Sequence, residues 1–95
     1  MIVRIDASGA VSLDDAADLK RLHVEAADAA TAGDALAAAG AGGPAEDGHV
    51  ALAISWLRAA SAGAAPADEF DAMIGYATSK GWVDVDAQTV RAHLA

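Results

Sequence analysis

The chain has 95 residues, no cysteine and a formal net charge of −8. That length suits one domain spanning residues 1–95, and the lack of thiols excludes disulfide scaffolds, thiolate zinc sites, iron–sulfur clusters and cysteine nucleophiles. Apolar residues make up 55% of the chain, but 28 of them are alanine and only 24 carry a large side chain, so core volume is scarce.

Residues 2–6, Ile-Val-Arg-Ile-Asp, read as a short strand with one polar interruption, and Ala7-Ser8-Gly9 as a turn that lets Ala10-Val11 return as a small hairpin. Ser12 then looks like an N-cap, with Asp14, Asp15 and Asp18 at the positive end of a helix dipole. Strong helix formers follow, which predicts a long helix over about 13–32, ended by Gly33 or continued to Ala39. Gly40 to Gly48 reads as a flexible loop. His49 to Ile54 alternates large and small side chains, which predicts a strand, with Ser55 capping a short helix at Trp56–Ala60; a helix running through 50–60 is the alternative. Ala67 to Lys80 is a second clear helix, with Phe70, Met73, Ile74 and Ala77 as its inward stripe, Gly81 just past its end and Trp82 folding back. Trp82 to Val85 reads as a third short strand, and Asp86 as the cap of a terminal helix with Ala87, Val90 and Leu94 inward.

These elements predict an α+β, helix-dominated small domain with a two- or three-stranded sheet, the alternative being all-α. Leu19, Leu22, Ala26, Ala29, Gly33 and Leu36 follow heptad spacing along the first expected helix, which marks Leu19, Leu22, Ala26, Ala29 and Gly33 as a candidate dimer seam. Small domains bury a smaller share of their surface than large ones, so the shortage of large side chains also favours a homodimer.

The charge narrows the partners. Fourteen acidic residues against six basic ones repel phosphate backbones and anionic lipid surfaces, so neither nucleic acid nor a membrane is expected as a partner. Among the basic residues only Lys20 and Arg21 are adjacent. A basic protein partner, a neutral ligand and self-association stay open. The chain has no apolar run near the roughly 20 residues that span a bilayer and no signal-peptide core, which suggests a soluble cytoplasmic protein.

Motif chemistry is sparse. Gly40-Ala-Gly-Gly-Pro lacks the Lys and Ser/Thr of a phosphate cradle and is followed by two acids. Asp84-Val-Asp86-Ala-Gln88 opens like a calcium loop, but Thr89 and Ala95 stand where Gly and Glu are required. His23, His49 and His93 are far apart and form no i,i+4 ligand pair, so no metal and no cofactor is expected. The serines offer no nucleophile elbow. The acid pairs Asp14/Asp18 and Asp68/Asp71 read as first-turn helix residues rather than as acid–base catalysts. The leading expectation is a non-catalytic, self-associating interaction or regulatory module. The alternative is a small-molecule binder or modest enzyme with a pocket around His49, Trp56 and Trp82.

Overall fold

Period-two alternation governs more of this chain than its alanine content suggests. The computed structural model describes residues 1–19 and 22–94; the basic pair Lys20-Arg21 and Ala95 lie outside the described residues. Among the described residues, seven strands and three helices follow in the order β1 (Ile2–Ile5), β2 (Val11–Asp14), β3 (His23–Glu25), α1 (Ala29–Ala38), β4 (Gly42–Glu46), β5 (His49–Ala53), α2 (Ile54–Ser61), α3 (Ala67–Ser79), β6 (Val83–Asp84) and β7 (Thr89–Leu94). The strands form one mixed sheet in the order β2-β1-β3-β7-β5-β4, with β6 also paired to β7. β3 runs parallel to both β1 and β7, and the remaining pairs are antiparallel. The domain is therefore strand-dominated, which overturns both the helix-dominated and the all-α expectation.

The inward residues of successive strands, Val3, Ile5, Val24, Val50, Leu52, Val90 and Ala92, are buried in one cluster with Leu36 of α1, Leu57 of α2 and Phe70 of α3. Their neighbours along each strand face the other way, since side chains alternate across the pleat. Burying seventeen apolar residues in one cluster, six of them alanine including Ala41 and Ala65, shows how a chain poor in large side chains closes its core. Helix and strand approach closely where only a methyl group intervenes. Among the described residues no helix is long and apolar enough to cross a membrane.

The long helix expected over 13–32 is absent. Val11 to Asp14 pairs antiparallel with β1, with Ser12 opposite Arg4 rather than capping a helix. Asp15 takes a φ of 48°, left-handed backbone that ends the strand. The helical stretch starts later, where Asp28 is the true N-cap and its Oδ1 accepts from Thr31 N–H at 2.7 Å. Gly33 is carried inside α1, and the helix ends at Gly40, whose N–H donates to Ala37 O while Ala41 N–H donates to Leu36 O. The proposed seam is therefore no single helix face. Ala29 and Gly33 lie on α1, while Leu19, Leu22 and Ala26 flank β2 and β3 in non-helical backbone. The dimer expectation loses the heptad on which it drew.

Two further elements differ for reasons local to them. The expected loop at 40–48 contains β4, joined to β5 by Asp47 and Gly48 at φ 50° and 76°. Two successive left-handed residues make the tight hairpin turn whose twist matches that of its strands, and Asp-Gly is its sequence mark. The expected terminal helix is instead β7. Asp84 Oδ1 accepts from Asp86 N–H and Ala87 N–H, closing a turn, and the chain returns beside β6. Val90 and Ala92 then face the core while Arg91 and His93 face out.

The other elements follow the pattern. β5 runs Val50 and Leu52 inward and leads directly into α2, with Ile54 N–H donating to Gln88 O; the N-cap is Ala53, without a side-chain cap bond, and not the expected Ser55, which lies inside the helix. α3 spans Ala67–Ser79 with Asp68 and Glu69 in its first turn. Gly81, at φ 78°, and Trp82 close it as anticipated, their N–H groups donating to Thr78 O and Ala77 O.

Candidate functional site

The register of the sheet decides what its outer face carries. Residues directly opposite each other in neighbouring strands share a face. One rung runs Asp14, Ile2, His23, His93, His49 and Glu46 across six strands. The next places Trp82 beside Arg91, whose N–H donates to Trp82 O at 2.7 Å, and Arg91 opposite Ala51. A third aligns Asp84, Thr89 and Ala53.

Ala51 is small, and this face is concave between its taller flanks. The resulting cleft of about 340 Å³ has Trp82 and Asp84 on one side, Glu46 and Asp47 on the other, and His49, Ala51, Thr89 and Arg91 between. It is open and shallow rather than enclosed. Three carboxylates stand on its rim against one guanidinium on its floor, and among the described residues Arg91 has no ion-pair partner.

Of the residues singled out in the sequence, His49 and Trp82 line this cleft together. Trp56 does not, because it lies on α2 and packs half-buried against the core. Trp82 is 39% exposed and meets Tyr76 edge-on at 6.0 Å between ring centroids. Tyr76 is 58% exposed and Val85, just past the end of β6, 65%. Lys80 Nζ lies 5.5 Å above the Tyr76 ring.

Asp68 and Asp71 lie on α3 as expected, whereas Asp14 ends β2 and Asp18 follows it outside any helix. Asp14 pairs with Arg4, which also holds Glu25 at 3.1 Å, and Asp71 pairs with Arg58 at 2.6 Å while the Arg58 guanidinium lies over Phe70. Two aspartates are held below the ordinary aspartate pKa. At Asp6 the main cause is the Ser8 hydroxyl hydrogen bond, and at Asp28 it is the Thr31 backbone N–H.

Sequence spacing hid the histidines' arrangement. His49 and His93 face each other across β5 and β7, ring centroids 5.7 Å apart at 75°, and His23 occupies the next register position on β3. The only available signal was that each stands at an outward position of a period-two segment. Among the described residues, no three His, Asp or Glu side chains already converge as a metal cage. No family model, curated protein or solved structure matches the chain.

Proposed function

We propose that this chain is a non-catalytic interaction module that holds a basic segment of a partner protein across the outer cleft. One observation carries the reading: the acid-rimmed cleft is bounded by the exposed Trp82, which meets the exposed Tyr76 edge-on. Aromatic side chains with one face free are the usual anchors of protein interfaces. Glu46, Asp47 and Asp84 attract Lys and Arg, the Trp82 ring offers a cation–π surface, and the net charge of −8 steers a basic partner inward. Arg91 repels a cation from the floor, so the partner's charges belong at the rim. A cytoplasmic setting is part of this proposal and rests on the sequence alone.

The test uses the Trp56→Phe protein, so that fluorescence reports Trp82, titrated with a Lys/Arg-rich peptide and an acidic peptide of equal length. The basic peptide should bind saturably and more weakly as salt rises. Followed by calorimetry, since the first variant removes the fluorescent reporter, binding should be lost in Trp82→Ala, fall several-fold in Asp84→Asn and strengthen in Arg91→Ala. Equal response to both peptides, or binding indifferent to Trp82, overturns the reading.

A second reading, a small-molecule binder, is favoured by His49 and Trp82 sharing a cleft whose volume lies near the lower end of the range for ligand sites, roughly 300–1,000 Å³. It predicts that arginine amide alone binds as tightly as the peptide.

A further inference from the structure

We propose that His49 and His93 form a two-histidine clamp for a late first-row divalent cation (Ni²⁺, Cu²⁺ or Zn²⁺) on the outer face of the sheet. The two are a directly opposed pair on antiparallel strands. The neighbouring pairs 48/94 and 50/92 exchange the ladder hydrogen bonds, as Leu94 N–H to Gly48 O shows, so 49/93 is the non-hydrogen-bonded kind, in which side chains stand closest. Their ring centroids are 5.7 Å apart. Two nitrogens bound at 2.0–2.1 Å to one tetrahedral ion are separated by about 3.4 Å. Rings at this spacing reach that separation when a nitrogen of each turns inward. His93 is exposed.

A second observation bears on readiness to ligate. His49 Nδ1 lies 3.0 Å from Asp47 O. A carbonyl can only accept, so Nδ1 is the protonated nitrogen in this bond, and in the neutral ring the lone pair is on Nε2. This is the backbone-anchored tautomer that metal-binding histidines use. The next histidine on the rung repeats the device with a carboxylate. His23 Nε2 lies 3.2 Å from Glu25 Oε2, leaving Nδ1 as the free donor. Glu46, opposite His49 on β4, and His23, beside His93 on β3, stand at either end of the pair as further donors or as outer-shell charge. Imidazole donors select Ni²⁺, Cu²⁺ and Zn²⁺ over Mg²⁺ and Ca²⁺, which prefer all-oxygen sites. With two protein ligands, water fills the remaining positions.

The experiment is isothermal titration of the untagged, chelator-treated protein with Ni²⁺, Zn²⁺ and Mg²⁺ at neutral pH, run on wild type, His49→Gln, His93→Gln and His23→Gln. Ni²⁺ and Zn²⁺ should bind saturably at one site and Mg²⁺ should not. Either substitution within the pair should weaken binding at least tenfold, and His23→Gln should weaken it less. Proton NMR of the wild type gives a readout independent of any variant: substoichiometric Ni²⁺ should broaden the imidazole signals of His49 and His93 first. Absence of saturable binding overturns the proposal. So does binding that survives both pair substitutions, or broadening that begins elsewhere.

Discussion

Gly42 is the position where a single methyl group tests the architecture most sharply. A Cβ built there would lie 2.2 Å from Ala51 O and 3.2 Å from Leu52 Cα. Ordinary carbon–oxygen contact begins more than an ångström further out, and both obstructing atoms are backbone of β5, which is hydrogen-bonded on its far side to β7. Nothing flexible can yield. Relief requires β4 to lift away, and the register between β4 and β5 already shifts between Gly42 and Ala45. Overpacking of a tight interior costs about 1–3 kcal/mol, occasionally more, and with an all-backbone obstruction we expect Gly42→Ala near or above the top of that range. The adjacent Gly43 is an internal control, because a Cβ there meets nothing within 4 Å and its φ is not left-handed. Gly43→Ala should therefore stay within about 0.5 kcal/mol of wild type. Urea unfolding followed by far-ultraviolet circular dichroism measures both. If Gly42→Ala unfolds within 0.5 kcal/mol of Gly43→Ala, the close approach of β4 to β5 is wrong, and with it the position of Glu46 on the cleft rim.

Other consequences can be measured in the same way. Leu57→Ala removes a fully buried side chain from a core with few large ones and should cost about 2–5 kcal/mol, a large share of the roughly 5–15 kcal/mol typical of a domain. Gly81→Ala meets no atom within 4 Å, but its φ of 78° penalises any Cβ, so thermal melting should show a loss of about 1–2 kcal/mol from backbone strain alone. The lowered pKa values of Asp6 and Asp28 mean that their hydrogen bonds stabilise the fold above the unfolded aspartate value, about 3.9, and are lost as pH falls through the lower folded values. Melting temperature followed from pH 6 down to pH 2 should fall less steeply in the Asp6→Asn/Asp28→Asn double variant, and an unchanged slope would refute their contribution.

Local signals in the chain separate cleanly into those that needed no partner and those that did. Ala67 to Ser79 is helical on its own terms, with acids at its start, a buried stripe at helical spacing and Gly81 at its end. β1 and β5 also show in their own alternation. The hairpin at Asp47-Gly48 was equally legible, but the glycines before it suggested a loop, and an edge strand held by close backbone approach looks like one in composition. The cleft was half visible: His49 and Trp82 were named together with Trp56 for a pocket, and only the first two share it.

What the sequence determined by itself is the acidic charge, the absence of thiol chemistry, and those elements whose hydrogen bonds close within a few residues: α3 with its caps and the tight turns. Tertiary structure decided the segments at 11–14 and 89–94. Both contain good helix formers, and both became strands because a neighbouring strand offered a ladder of hydrogen bonds and a core face for Leu13, Val90 and Ala92. The same pairing aligned His23, His93 and His49, which are distant in the chain, on one rung. The physical reason is that helix signals are local and can be read in one turn, whereas a strand's face and register exist only relative to the strand beside it.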